Sequence, residues 1–276
     1  MTAAAGGTGG LALFENLGTL PSAPDSTVAL VEHLTAHGVK IIFRHYDPSW
    51  EFFDRPSDPR FPLNCSEAEH VVVQRNHQED LLARRQIHAR LIRPHVSIGA
   101  LRDGAEVCVA HGIDPDALVL MHPVTPYLRK DAPAAARFAD ELARRTDRPV
   151  VYWLTGGPDP LEGSDTAYQF KRGRFNDAVE MYSLADVVLL PSSWEGFGMP
   201  ALEAGLLQLP VLTGSWPALD EMVDLGLAPV KTSAADPVGE LLAQIEQGSR
   251  HDTASLARAY SRELVKEQLA QLLAGS

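Results

Sequence analysis

The ten residues Trp194-Glu-Gly-Phe-Gly-Met-Pro-Ala-Leu-Glu203 carry two carboxylates, Glu195 and Glu203, eight positions apart. Between them lie Gly196, Phe197, Gly198 and Met199, then Pro200, a residue suited to the first turn of a helix. Upstream, Asp186-Val-Val-Leu-Leu-Pro191 is an apolar β-branched run that predicts a buried parallel strand. The expected local structure is strand, glycine loop, helix. One carboxylate then precedes the turn and the other sits early in the helix. Such a turn offers backbone N–H groups and a positive helix end to an anion. The two carboxylates offer acceptors to hydroxyl groups. A phosphate together with a polyol describes a nucleotide sugar.

The elements around this segment must hold it at the edge of a sheet. The chain has 276 residues, 45% of them apolar and 22% charged, as in ordinary globular proteins. A formal charge of −12 argues against nucleic acid as a main partner, since phosphate backbones are bound by basic surfaces. Cys65 and Cys108 lack metal-ligand spacing and are read as free thiols of a reducing compartment. The glycine-rich start has neither a basic nor an apolar region of the secretory kind. No apolar run approaches the roughly 18 residues that span a bilayer. A cytoplasmic location is the expectation.

Residues 1–10 read as a flexible tail. The periodicity predicts a helix from Asp25 or Ser26 to His37 and a strand over Lys40–Arg44. A loop over residues 48–66 leads to a strand over His70–Gln74. A helix over Gln78–Ile87, a short strand over Leu91–Arg93 and a helix over Arg102–Ala110 follow. A seam falls at Ile113-Asp-Pro-Asp116, after which strands and helices alternate. The strands are Ala117–His122, Pro149–Leu154, Val187–Leu190 and Pro210–Thr213. The helices are Pro133–Arg145, Asn176–Leu184, Pro200–Leu206 and Pro217–Leu225, with two more over Val238–Gln247 and Ala254–Leu273. This alternation means α/β with a parallel sheet, whose ligands sit beyond the carboxyl ends of the strands.

The stretch from Tyr182-Ser-Leu-Ala-Asp-Val-Val to Glu203 is similar to the E-x7-E segment of retaining GT-B glycosyltransferases of family 4, the glycosyltransferase group 1 domain. His122-Pro-Val, Leu128-Arg-Lys-Asp131 and Trp153-Leu-Thr-Gly-Gly157 resemble the start of the family's donor domain, where a lysine meets the diphosphate. Phe14-Glu-Asn-Leu-Gly-Thr-Leu-Pro21 and Phe43-Arg-His-Tyr-Asp-Pro-Ser-Trp50 resemble its acceptor domain. The resemblance spans residues 11–276. It implies two Rossmann-like domains with parallel sheets: a partial acceptor-side domain over 11–112 and a nucleotide-sugar donor domain over 113–250, with a C-terminal helix over 251–276. The first domain looks incomplete. Its front part has been lost, is encoded upstream, or is supplied by a partner chain or oligomer. Two further departures are Thr125, where the family has an arginine five positions before the lysine, and Tyr46, where a histidine precedes the aspartate.

The resemblance implies that Glu195 accepts from hydroxyls of the donor sugar and Glu203 from the ribose hydroxyls. The backbone of Gly196, Phe197, Gly198, Met199 and Pro200 lines the sugar and phosphate. Lys130, with Arg129 beside it, neutralises the departing diphosphate. His45, Tyr46 and Asp47 are acceptor-side candidates, Asp47 with a catalytic part. The alternative for each is ordinary: a surface acid near a helix start, a basic residue opening a helix, a polar strand end. Asp114-Pro-Asp116 reads as a turn, and His33 and His37 lack a third ligand, so no metal and no cofactor are expected. The expected activity is sugar transfer from a nucleoside diphosphate sugar to an acceptor hydroxyl with retention. The rival is a non-catalytic relative that binds nucleotide sugar or supports an active partner chain.

Overall fold

The computed structural model describes residues 10–19, 23–48, 50, 58–65 and 68–274. Residues 1–9 of the predicted tail and about half of the 48–66 loop lie outside them. Contacts divide the chain into two compact units, one running to Pro94 and resuming at Val265, the other His95–Leu264. The seam read at residues 113–116 falls inside the second unit.

In the first unit the described residues form a four-stranded parallel sheet in the order β1 (Leu11–Glu15), β2 (Lys40–His45), β3 (Ala68–Val72), β4 (Ala89–Leu91). Helices α1 (Pro24–Ala36) and α2 (Arg75–Arg85) connect strands. Alternation along β2 sorts the core. Ile41 and Phe43 pack with Phe14 and Val31, while Ile42 packs with Val71, Ile92, Val265 and Leu272. The last helix, α10 (Arg262–Ala274), supplies Val265 and Leu272 to this second face.

The second unit is built on a six-stranded parallel sheet. Its strands are β5 (Leu118–His122), β6 (Val150–Leu154), β7 (Gln169–Arg172), β8 (Val187–Leu190), β9 (Val211–Thr213) and β10 (Val230–Lys231), in the order β10-β9-β8-β5-β6-β7. Counted within the unit this is 6-5-4-1-2-3, the doubly wound Rossmann arrangement. The order reverses between β5 and β8, the switch point beyond whose carboxyl ends this class of sheet places its ligands. The near-continuous apolar runs of β5, β6 and β8 follow from burial on both faces, which helices cover. The helices are α3 (Gly104–Ala110), α4 (Ala132–Ala143), α5 (Ala178–Leu184), α6 (Met199–Leu206), α7 (Pro217–Asp224), α8 (Pro237–Gln247) and α9 (Thr253–Ala259). Helix α3 packs with α5 over Val107, Cys108, Val119 and Met121, and so belongs to this unit.

Several expected bounds move. Helix α1 starts at Pro24 rather than at a Ser26 or Asp25 cap. Strands β3 and β4 begin two residues earlier than expected, and β7 and β10 were not expected. The single terminal helix read over 254–273 is two, broken at Tyr260 and Ser261, where the Tyr260 carbonyl accepts from Val96 N. Asp114-Pro-Asp116 is a turn, closed by the Asp116 amide donating to Asp114 Oδ1 at 3.0 Å.

Candidate donor site at the switch point

The loop after β8 carries Glu195 and the loop after β5 carries Arg129 and Lys130, the latter in a single 3₁₀ turn over Leu128–Lys130. The two loops are tied by the Ser193 amide, which donates to the Arg129 carbonyl at 2.9 Å. Lys130 Nζ donates to Glu195 Oε2, and Arg129 Nη1 lies 3.7 Å from the same oxygen. Arg129 stacks over the Trp194 ring at 5.0 Å and over Tyr127 at 5.9 Å, and its Nη1 reaches the Trp194 carbonyl at 3.4 Å. Glu195 is 6% exposed, and its other oxygen, Oε1, is buried without a hydrogen-bond partner among the described residues. A buried carboxylate oxygen in that state is costly unless a ligand or water completes it.

Helix α6 begins immediately after this loop. Gly198 is its N-cap at φ 91°, and no side chain caps the helix. Pro200 carries no N–H, so the first turn presents the amides around Gly198 and Met199 together with the positive end of the helix. The loop is fixed from the other side. Trp216, 3% exposed, donates from Nε1 to the Phe197 carbonyl at 3.2 Å. A Cβ at Gly198 would come 2.8 Å from Trp216 Cζ2. Glycine is therefore required twice over, by the positive φ and by the indole. The Phe197 side chain is buried, edge-on to Tyr260 at 5.9 Å.

Glu203 lies in the second turn of α6. One oxygen, Oε2, is taken by the Tyr182 hydroxyl. Burial raises its pKa, and the Tyr182 hydrogen bond opposes that rise. The Tyr182 hydroxyl thus occupies one oxygen of the carboxylate that the resemblance assigns to the ribose hydroxyls. Beneath the cationic turn lies His122, the last residue of β5. It is fully buried, and its Nδ1 is 2.9 Å from the Tyr152 hydroxyl. Burial foremost, and then the Lys130 charge, lower its pKa to about 3. Thr125, where the resemblance placed an arginine, is exposed.

The structure thus gathers Glu195, Lys130, Arg129, the Gly196–Pro200 turn and Glu203 in the second unit. The other candidates belong to the first. His45 is fully buried, with Nδ1 engaged by the Thr19 hydroxyl and Nε2 2.9 Å from His70 Nδ1. The two rings are stacked 5.2 Å apart, and His70 continues to Asn64 at 3.3 Å. His45, an acceptor-side candidate in the sequence, thus lies fully buried at the end of β2 with both ring nitrogens engaged. Desolvation lowers its pKa to about 3 and that of His70 to about 4. Asp47 accepts from Asn16 Nδ2 at 2.9 Å, and Tyr46 lies under the Arg44 guanidinium at 5.2 Å. Burial foremost raises the Tyr46 pKa to about 12. Tyr182, Trp194, Trp216 and His122 were given no role from sequence. Their partners lie 19 or more positions away or across a loop, with no spacing to reveal them. Among the described residues no group of three or more His, Cys, Asp or Glu could hold a metal ion, and no helix is long and apolar enough to cross a membrane.

Residues 129–249 match the family described as glycosyl transferases group 1. The chain is 28% identical over 232 residues to D-inositol 3-phosphate glycosyltransferase of Saccharomonospora viridis, a match covering 75% of this chain and 50% of that one. It thus spans half the length of the curated relative it matches. Anabaena Alr3699/HepE in complex with UDP-glucose is similar in structure, at a TM-score of 0.69 and 15% identity, covering 92% of this chain and 77% of that one. A glycosyltransferase from Rickettsia africae is similar at a TM-score of 0.67 and 13% identity, covering 94% and 75%. At these identities the structural likenesses carry the fold. The chain has the fold of GT-B glycosyltransferases, and its residues 129–249 are similar to the glycosyl transferases group 1 family.

Proposed function

We propose that this protein is an enzyme that transfers a sugar from a nucleoside diphosphate sugar to an acceptor hydroxyl, with retention of anomeric configuration, as in family 4. The observation that carries the reading is the Glu195 carboxylate. One oxygen holds two cations beside an uncapped helix N-terminus, and the other is buried without a hydrogen-bond partner among the described residues. Lys130, Arg129 and the start of α6 stabilise the negative charge that grows on the departing diphosphate. Glu195 Oε1 accepts from a hydroxyl of the donor sugar and fixes the ring. Glu203, oriented by Tyr182, accepts from the ribose.

Glu195 is anchored by its cations, which suits a hydrogen-bond acceptor better than a nucleophile. The step we propose is a same-face displacement. The bond from the anomeric carbon to the diphosphate oxygen breaks, the bond to the acceptor oxygen forms, and the leaving phosphate takes the acceptor's proton. No cofactor takes part. The Anabaena relative in complex with UDP-glucose supports a nucleotide sugar as donor. The free thiols of Cys65 and Cys108 suit a reducing, cytoplasmic setting.

The test is sugar release or transfer by the purified chain across a panel of nucleotide sugars, with Glu195→Ala as control and the product anomer read by proton NMR. Activity lost in the variant, with a retained anomer, is expected. Nucleotide sugars that raise Tm while no sugar is ever released would replace this reading with a non-catalytic, donor-binding relative that supports a partner chain. An inverted anomer would refute retention.

A further inference from the structure

The Lys130 ammonium and the Arg129 guanidinium meet at one carboxylate oxygen, Glu195 Oε2. Two like charges drawn to one oxygen repel each other, and the more exposed of them is the freer to swing into water. That one is Arg129, whose side chain is 35% exposed against 14% for Lys130. Its polar contacts hold it weakly. At 3.7 Å the carboxylate is beyond a hydrogen bond, and the Nη1 bond to the Trp194 carbonyl is long at 3.4 Å.

The closer hold is aromatic. The guanidinium carbon of Arg129 lies 5.0 Å from the centre of the Trp194 ring and 5.9 Å from that of Tyr127, both within cation–π reach. Each ring is seated by its backbone. The Tyr127 amide donates to the Thr125 carbonyl at 2.7 Å, and the Tyr127 carbonyl accepts from the Lys130 amide at 2.8 Å. Trp194 follows Ser193, whose amide and hydroxyl donate to the Arg129 carbonyl at 2.9 and 3.4 Å. One ring thus comes from the loop after β5 and the other from the loop after β8. The Tyr127 ring is 62% exposed and fills no core. Stacking engages the flat face of a guanidinium and leaves its five N–H donors in the plane, a division of labour that a lysine lacks.

We propose that Tyr127 and Trp194 are positioning residues: rings from two loops hold the Arg129 guanidinium beside Glu195, with its N–H edge set for a diphosphate next to the Lys130 ammonium. This rests on the proposed donor site and adds what fixes its second cation. Arg129 is ordered before the ligand arrives, so binding carries less of the entropy cost of fixing a long side chain.

The experiment is a double-mutant cycle. Calorimetric titration with UDP, GDP, ADP and inorganic pyrophosphate is run on Tyr127→Ala, Trp194→Ala, Tyr127→Phe and Trp194→Phe, and on both alanine variants combined with Arg129→Ala. Relaxation of the Arg129 Nε–H group, read by NMR in the unliganded protein, reports the side chain itself. Arg129→Ala is expected to weaken diphosphate binding about tenfold or more. Trp194→Ala should cost about fivefold and Tyr127→Ala about threefold. Both phenylalanine variants keep a ring and should bind nearly as the wild type does. In the Arg129→Ala background neither alanine should cost anything further, because the rings act through Arg129. The Arg129 Nε–H group should be rigid in the wild type and mobile in each alanine variant. Full penalties that persist without Arg129, or an Arg129 side chain equally rigid without either ring, would overturn the proposal. Tyr127 is exposed, so its arm of the cycle stands even where Trp194→Ala does not fold. Should the wild type bind none of the four probes, the donor reading fails, while the relaxation data still decide whether the rings hold Arg129.

Discussion

Replacing Glu195 by glutamine separates the two jobs assigned to its carboxylate. The change keeps shape and removes the charge that Lys130 and Arg129 share. Removing one partner of a buried ion pair costs about 3–5 kcal/mol when the surviving charge has no other partner. The Lys130 side chain is 14% exposed and that of Arg129 35%, so water screens part of this loss. The glutamine carbonyl also still accepts one hydrogen bond. About 1–3 kcal/mol remains. At roughly 2–4 °C per kcal/mol for a unit of this size, Tm falls by about 2–12 °C. A diphosphate supplies the missing negative charge. UDP or GDP should therefore raise Tm by more in Glu195→Gln than in the wild type, where the carboxylate competes for the same cations. Sugar transfer should fall about a hundredfold, as befits one charged hydrogen bond of about 1.5–3 kcal/mol made to the donor. The assay is thermal melting with and without diphosphate, beside initial rates. A smaller diphosphate shift in the variant than in the wild type would refute the shared-cation reasoning. An unchanged rate would refute the sugar contact.

Three other substitutions bear on separate parts of the account. Gly198→Ala forces a side chain to φ 91° and against Trp216, and should cost about 1–3 kcal/mol in denaturant unfolding along with diphosphate affinity; a neutral result would mean that the loop can relax around the indole. Tyr182→Phe frees Glu203, whose pKa then rises further; nucleotide binding should weaken about tenfold at pH 7 and recover in part at higher pH, and a flat profile would contradict the Glu203 role. His45 and His70 have folded pKa values of about 3 and 4, below the ordinary histidine value near 6.5. Between those values the unfolded chain binds more protons, so stability is full above about pH 6.5 and falls as the pH drops towards about 4, by up to about 1.4 kcal/mol per pH unit for each ring. His70→Gln should flatten that acid limb in urea titrations, and an acid limb as steep as the wild type's would assign the loss to other groups.

Much of this arrangement is legible in the residues. The apolar runs of β5, β6 and β8 announce buried parallel strands, and Gly198 and Pro200 announce the turn into α6. Strand β7 does not, because Gln169-Phe-Lys-Arg172 is a half-exposed edge with polar ends. Strand β10 is two residues long and carries no period. The break between α9 and α10 depends on a tertiary hydrogen bond from Val96, which no local signal encodes. The site divides in the same way. The chemistry of Glu195 and Lys130 can be suspected from type and context, but their pairing across 65 positions comes from strand order, which puts β5 beside β8. The buried place of His45 is legible in the alternation, since it shares a strand face with Ile41 and Phe43.

The central claim is that the β5–β8 switch point takes the diphosphate of a nucleotide sugar on Lys130, Arg129 and the start of α6. Amide chemical-shift mapping tests it most directly, by titrating isotope-labelled protein with UDP-, GDP- and ADP-sugars. Saturable shifts concentrated at Gly196–Met199 and Arg129–Asp131, abolished in Lys130→Ala, are expected. Saturable shifts centred elsewhere, or unaffected by loss of Lys130, would contradict it.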